Sequence, residues 1–515
     1  MNQPETREIK KVLVANRGEI AVRVLRGCRE LGIRGAVVYS DADRAGLPVL
    51  LADEAYRIGP APSSESYLRG EAIVDLAVEI GADAIHPGYG FLSENAGFAR
   101  YAAQRGVIFI GPPASAIDAM GSKIESRRIM IDAGVAVVPG GRDPVSDEAA
   151  AAVAADEIGY PVLLKASAGG GGKGMRLVGS AAELSAAFRE ARSEAMSSFG
   201  DDTVYVEKFV EEPRHIEIQV LADHHGHTVS LGERECSIQR RHQKVIEEAP
   251  SPVVDVDLRR RMGEAAVKAA QAVGYTNAGT VEFLLDRHGE FYFLEMNTRL
   301  QVEHPITELV TGVDLVIQQI RVAQGEAIDP GLGERQPQGH AIEVRLYAED
   351  PFNNFVPSPG RIDLLRLPEG PGVRNDCGVV SGGEVPIYYD PMLAKLIVWG
   401  SDRGHAITRM ERALSELRIE GIRTPVALYQ QILRDDDFRA GRLDIGMLER
   451  KLASGDWAAG HGEDPELADL PLIAAAIAHA ERQEVVTSQP VVEGGQRSHW
   501  KTVARREALG GYSWS

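Results

Sequence analysis

Cysteine is scarce in this chain. Cys28, Cys236 and Cys377 are three among 515 residues, odd in number and far apart, which excludes a disulfide framework and a cysteine-rich zinc site. Long apolar runs are missing too. None approaches the roughly 18 residues of a membrane-spanning helix, and the first ten residues lack the apolar core of a signal peptide. A cytoplasmic protein with no membrane partner is therefore expected. Basic charge is also short: 56 Lys and Arg against 75 Asp and Glu give a formal net charge of −19. That balance argues against a nucleic-acid partner, and it requires any polyphosphate ligand to be held by locally clustered cations. Aromatic residues make up only 6%, yet 44% hydrophobic and 25% charged residues are ordinary for a globular chain that buries a large core.

What is present concentrates between residues 280 and 303. Two alternating, aromatic-rich runs, 280–286 and 291–297, flank residues 287–290, the pattern of a β-hairpin with a four-residue loop. If Asp286 faces Phe291 across the loop, Glu282 falls directly opposite Glu295 on one face. Two carboxylates so placed repel unless a cation lies between them. All-oxygen ligation suits Mg²⁺, which bridges carboxylates to substrate phosphates. Continued alternation carries Asn297, Arg299, Gln301 and Glu303 along the same edge, with Met296, Leu300 and Val302 pointing the other way. The plainer alternative is an exposed amphipathic strand, and a bulge in the loop would shift the register by one.

Taken in order, strand patterns at 11–15, 36–39, 82–86 and 107–110 alternate with helical patterns, which predicts a parallel, doubly wound sheet. Its loops 16–19 and 86–95 leave the carboxyl ends of strands, where such sheets bind ligands. No G-x-G-x-x-G fingerprint accompanies it, so dinucleotide binding is not expected. Further on, Gly169 to Gly172 and Gly174 lie between two β-type runs with Lys165 and Lys173 at hand. This is not a Walker A loop, because Ser167 stands where that motif starts with glycine and Gly174 where it needs Ser or Thr. Consecutive glycines let backbone N–H groups converge on an anion, so the loop reads as a phosphate cradle or, alternatively, a flexible linker. Residues 205–210 form either a core strand or the wall of a base pocket. The cluster 239–244 is either a solvated charge run or a polyanion contact.

Four segments carry a family resemblance: His86-Pro-Gly-Tyr-Gly-Phe-Leu-Ser-Glu-Asn95, Lys165 to Met175, Arg240-Arg-His-Gln-Lys-Val-Ile-Glu-Glu-Ala-Pro250 and Glu295-Met-Asn-Thr-Arg-Leu-Gln-Val-Glu-His-Pro305. They resemble the signature segments of biotin carboxylase, an ATP-grasp enzyme and the ATP-dependent component of biotin-dependent acyl-CoA carboxylases. The resemblance covers residues 9–450. It departs at Ala168, where the family usually has glycine, and at Lys173, where arginine is common; both changes leave the cradle and its charge.

The resemblance implies an α/β ATP-grasp fold with a Rossmann-like parallel sheet over 1–121, a mobile glycine-loop lid over 122–205 and a C-terminal α+β catalytic region over 206–450. It implies ATP, Mg²⁺ or Mn²⁺, bicarbonate and carrier-borne biotin. By position, Lys123, Lys165, Gly170, Gly171, Gly172, Lys208, His215, Gln239 and His242 match nucleotide contacts, and Glu207 and Val210 match the adenine backbone positions. Glu282, Glu295 and Asn297 match the metal site. Lys244, Arg299, Gln301 and Val302 match the bicarbonate pocket, Glu303 its general base, and Arg345 the arginine that faces the biotin enolate.

The implied partners are a biotin carboxyl carrier protein, since no Met-Lys-Met attachment motif occurs here, and a carboxyltransferase, with a homodimer of this chain. The implied setting is an acyl-CoA carboxylase such as acetyl-CoA carboxylase of fatty acid biosynthesis. The alternatives are a component of a pyruvate or propionyl-CoA carboxylase, another ATP-grasp carboxylate–amine ligase, and a nucleotide sensor without turnover. Residues 451–515 read as a helical tail with Trp500 and Trp514 near its end, which either docks a partner or folds back on the body.

Overall fold

The computed structural model describes residues 6–140, 144–166, 175–199, 202–241 and 243–458. The chain divides into two units, Met1–Trp457 and Ala458–Ser515, and from residue 459 onward the second lies outside the described residues. Trp457 is buried and its indole N–H donates to Asp435 Oδ2 at 3.2 Å, so the last described turn belongs to the first unit.

That unit opens with five parallel strands in the order Glu54–Gly59, Arg34–Ser40, Lys11–Val14, Ala84–His86, Ile108–Phe109. Val12 and Val14 pack with helices Gly18–Glu30 and Leu315–Ala323, whereas Leu13 packs on the other face with Ile73, Val74 and Phe98. A strand covered on both faces has no polar side, which is why its sequence is an unbroken apolar run. The rim strand Glu54–Gly59 was not among the expected elements; only its last two residues are buried, so it carries little apolar pattern. Across the carboxyl ends of the sheet, Asn16 Nδ2 donates to Pro87 O at 2.7 Å and Tyr89 O at 2.8 Å, tying two ligand-side loops together.

In a separate three-stranded sheet, strands Val162–Ala166 and Met175–Val178 pair antiparallel with Lys165 opposite Met175. Strand Val204–Lys208 adds to the other side of Val162–Ala166, because Val204 and Val206 complete the core that helices Glu148–Ile158 and Ala181–Phe199 cover. This sheet therefore runs past residue 205, and residues 204–208 form one of its strands.

The largest sheet has eight antiparallel strands in the order Phe291–Asn297, Asn277–Leu285, Arg214–Ala222, Thr228–Arg240, Gln243–Ala249, His340–Tyr347, Met392–Gly400, Val373–Cys377. Its first hairpin departs from the expected register twice. Leu285, not Asp286, faces Phe291, and residues 286–290 form a five-residue loop in which Asp286 N donates to Glu290 O at 2.9 Å. A bulge then leaves Leu294 unpaired, and Glu282 again faces Glu295. The bulge also reverses which side chains face the core. Phe291, Phe293 and Met296 pack around Phe283, while Glu295 and Asn297 lie on the face of Glu282. The expected alternation to Glu303 is not realised: the strand stops at Asn297, residues 298–303 are irregular, and helix His304–Thr311 follows.

Candidate active site

Three strands of the large sheet, two of them neighbours and the third beyond one intervening strand, turn charged side chains toward one buried point. Lys244 lies on strand Gln243–Ala249, Glu282 on Asn277–Leu285 and His215 and Glu217 on Arg214–Ala222, while Glu303 sits just before helix His304–Thr311. Lys244 Nζ donates to Glu303 Oε1 at 2.7 Å, to Glu282 Oε1 at 2.8 Å and to Glu217. The other Glu303 oxygen accepts from Arg345 at 2.9 Å, and Arg345 Nε donates to Glu247 at 2.6 Å. Glu303 is fully buried.

Burial alone would raise a carboxyl in such a place. Here Lys244, Arg345 and Arg234 outweigh it and hold Glu303 well below the usual carboxylate range. Conversely, burial opposes the Lys244 charge, but Glu217, Glu282 and Glu303 hold its ammonium well above the ordinary lysine range. Glu282 behaves as Glu303 does: burial is overcome by Lys244 and His215, whose Nε2 is 3.1 Å from its Oε2. At Glu295, desolvation and the facing Glu282 outweigh His215, Lys123 and Lys244 and push the carboxyl up. Burial also lifts Glu247, to about 7, with Arg345 opposing.

Around this centre Asn297 Nδ2 reaches Glu282 Oε1 at 2.9 Å, and Arg299 donates to Asn297 Oδ1 at 3.0 Å and Gln301 Oε1 at 3.1 Å. The donor atoms of His215, Glu217 and Glu282 lie within 4.8 Å of one another. Glu217 is nevertheless spent on Arg234 and Lys244, so that trio is an ion-pair cluster. Glu282 is engaged as well, by Lys244 and His215, but it also faces a further carboxylate, Glu295, in register, and that facing pair is the donor set that suits a hard cation.

The structure thus brings together Lys244, Glu282, Asn297, Arg299, Gln301, Glu303, Arg345 and His215. Gln239 is the ladder partner of Lys244, and Val302 offers its carbonyl to Lys395 Nζ at 2.9 Å. Lys123 opens helix Lys123–Asp132 and its charge acts on Glu295. A separate group lies on the three-stranded sheet: Lys165 pairs with Glu207, Arg127 donates to the same carboxylate at 3.3 Å, and Val210 follows, half-buried. Lys208 Nζ is engaged by the carbonyls of Gly159 and Tyr160 at 2.8 and 3.1 Å. Gly170, Gly171, Gly172 and His242 lie outside the described residues.

Three further buried charges, Glu217, Arg234 and Glu247, were not singled out from the sequence. Arg234 joins Glu217 to Gln219, Thr280 and Thr307. The signal for Glu217 was the polar residue at every second position, His215, Glu217, Gln219, alternating with Ile216, Ile218 and Val220.

Comparison with known proteins decides the family. Residues 8–117 match the biotin carboxylase N-terminal domain, 122–330 the carbamoyl-phosphate synthase L chain ATP-binding domain and 343–450 the biotin carboxylase C-terminal domain. The chain is 55% identical over 443 residues to the biotin carboxylase of Halalkalibacterium halodurans, covering 86% of this chain and 98% of that protein. The chain belongs to the biotin carboxylase family. A second relative is a subunit of the pyruvate carboxylase of Methanothermobacter thermautotrophicus, 57% identical over 433 residues, which cover 84% of this chain and 88% of that one. Among solved structures, the biotin carboxylase domain dimer of the Hydrogenobacter thermophilus 2-oxoglutarate carboxylase, with MgADP, ADP and bicarbonate, superimposes with a TM-score of 0.80 at 48% identity, covering 87% of this chain and 99% of that one. As a biotin carboxylase, the chain is an ATP-dependent ligase of ATP-grasp architecture. Among the described residues no helix is long and apolar enough to cross a membrane.

Proposed function

We propose that this biotin carboxylase joins bicarbonate to biotin held on a separate carrier protein, by way of carboxyphosphate. The observation that carries the reading is the Glu303 carboxylate, buried, ionised and clamped between Lys244 and Arg345. Lys244, Arg299 and Gln301, with the Val302 backbone, hold bicarbonate beside it. Glu303 takes the bicarbonate proton while a bicarbonate oxygen bonds to the γ-phosphorus of ATP and the bond to ADP breaks. Carboxyphosphate then splits to CO₂ and phosphate, the phosphate takes the ureido proton of biotin, and the freed nitrogen attacks CO₂. Arg345 faces the ureido oxygen as it gains charge, a task suited to a permanently ionised planar fork.

Lys123, Lys165, Lys208, His215, Gln239, His242 and the loop Gly170-Gly171-Gly172 are assigned to the nucleotide, with the Glu207 and Val210 backbone at its base. Glu282 and Glu295, with Asn297 beside them, are the residues to hold Mg²⁺ or Mn²⁺, which when bound would neutralise charge on the substrate phosphates. We assign residues 1–121, 122–205 and 206–450 to N-terminal, lid and catalytic domains, with strand Val204–Lys208 moved to the lid.

The reading is tested by ADP release with biotin and bicarbonate each omitted in turn: both omissions should lower turnover strongly. Turnover stimulated by an amino acid instead would favour a carboxylate–amine ligase, and ATP binding without turnover a sensor. The second half-reaction is assigned to an acyl-CoA carboxylase, with acetyl-CoA in fatty acid synthesis as first choice and pyruvate or propionyl-CoA as alternatives, to be separated by carboxyl transfer assays with the partner carboxyltransferase. Residues 458–515 are assigned to docking that partner or the carrier. Because Trp457 is buried in the body, a chain ended there should keep free-biotin activity and lose co-purification with the partners; normal assembly would remove the docking role.

Replacing Glu295 with Gln is expected to weaken metal binding, so that activity recovers in part at high Mg²⁺ or with Mn²⁺. A metal dependence identical to the parent's would mean the facing carboxylates do not hold the ion.

A further inference from the structure

Glu94 belongs to the loop that leaves strand Ala84–His86 of the N-terminal sheet, yet its carboxylate is spent on the catalytic edge of the large sheet. Oε1 accepts from the Thr298 backbone N–H at 3.1 Å and lies 3.4 Å from the Thr298 hydroxyl, and Oε2 accepts from Arg299 Nε at 2.8 Å. The other corners of that guanidinium are also committed. One terminal nitrogen donates to Gln301 Oε1 at 3.1 Å and Leu300 O at 3.3 Å, and the other to Asn297 Oδ1 at 3.0 Å. Both of those amide side chains approach Glu282 Oε1, Asn297 at 2.9 Å and Gln301 at 3.5 Å. Glu94 therefore occupies the Nε side of Arg299, and the edge formed by its two terminal nitrogens is turned toward the Glu282–Lys244–Glu303 centre.

Among the described residues, apart from Glu94, Arg299 is held by hydrogen bonds only to neutral oxygens of residues within two positions of it in the chain, Asn297, Leu300 and Gln301. Its side chain is long and costly in rotamer freedom to order. The ion pair is also partly open to water, with side-chain exposures of 20% for Arg299 and 40% for Glu94, and pairs of that kind contribute little to stability. A carboxylate that is itself held by two donors of the neighbouring residue is suited to orienting a guanidinium.

We propose that Glu94 is a positioning residue for the bicarbonate step: it grips Arg299 by Nε so that the paired terminal nitrogens meet the anion. The proposal rests on the assignment of Arg299 to bicarbonate made above. Glu94 acts through Arg299 and is not assigned a substrate contact of its own. Since the loop 86–95 comes from the other sheet, this contact also ties that loop to the edge of the large sheet.

The test is steady-state ADP release by the full chain with free biotin. Glu94→Ala should raise the KM for bicarbonate by roughly 10- to 100-fold, leave the KM for ATP unchanged, and shift Tm by no more than about 2 °C. Glu94→Gln keeps one acceptor and should recover part of the loss. In a protein already carrying Arg299→Ala, adding Glu94→Ala should cost nothing more. The proposal is overturned if Glu94→Ala lowers kcat/KM for ATP and bicarbonate alike together with Tm, or if the two substitutions add. It is overturned alone, with the bicarbonate assignment intact, if Arg299→Ala raises the bicarbonate KM and Glu94→Ala does not. A parent enzyme without bicarbonate-dependent turnover would instead remove the proposed function on which it stands.

Discussion

Glu303→Gln is expected to lower bicarbonate-dependent ADP release by roughly 10²- to 10⁴-fold while ATP still binds. The substitution keeps the shape of the side chain and removes its charge and its basicity. It also places an amide NH₂ where both existing neighbours, Lys244 and Arg345, are donors, so one of the two contacts turns from attraction to a donor–donor clash. The parent residue titrates far from neutrality. Its carboxyl lies below the usual range because the surrounding cations outweigh burial, so the stability it contributes is present above that range and is lost only as pH falls through the depressed value. The base is therefore ionised throughout the neutral range, and an acid limb in the activity profile near pH 6 to 7 should come from another group. Near-normal turnover of the variant would remove the base role from Glu303.

Lys244→Met should be the most damaging single change to stability. Three carboxylates, Glu217, Glu282 and Glu303, share that one ammonium. Arg234, His215 and Arg345 remain, one beside each, but the centre of the cluster becomes a buried region of uncompensated negative charge. Breaking a buried ion pair from one side typically costs about 3–5 kcal/mol. Without the lysine, burial and mutual repulsion should lift Glu282 and Glu303 above their unfolded values, so the variant's stability should fall as pH rises through the window between the two. The parent behaves in the opposite sense, losing the contribution of Glu282 and Glu303 as pH falls. Calorimetry of both proteins at about pH 5 and pH 8 should therefore show the gap in Tm widening at the higher pH. Equal Tm values at both would mean that the cluster is not the buried network described. Arginine is not a substitute, because a planar fork cannot direct its donors at three surrounding acids as an ammonium does.

Legibility in the sequence followed the range of the interactions. The parallel sheet was readable because each strand and the helix after it announce themselves within a few residues, and the apolar run 11–15 already implied cover on both faces. The Glu282–Glu295 pair was readable through a hairpin, although the loop was one residue longer than expected and only the bulge at Leu294 restored the facing. The clamp around Glu303 was not readable from spacing: its contacts span 59 residues to Lys244 and 42 to Arg345, and Arg299 meets Glu94 over 205. Those assignments came from the family resemblance. Glu217, Arg234 and Glu247 escaped both routes because a charged residue in a strand ordinarily marks the solvent face. Here the face it marks is a sealed ionic interior, which exists only once distant strands have been brought together.

The unpaired Leu294 has a consequence for chain length. It is 39% exposed and is the extra residue at the point where the strand changes the side it gives to the core. Shortening the chain by that one residue would keep Phe293 and Met296 on the core side and Glu295 and Asn297 on the side of Glu282, because simple alternation would then do what the bulge does now. Removing one residue between Glu295 and Asn297 would instead throw the segment leading to Arg299, Gln301 and Glu303 out of phase. The strand should therefore tolerate a deletion at 294 and at no position in the three that follow, a polarity that a scan of point substitutions would not reveal.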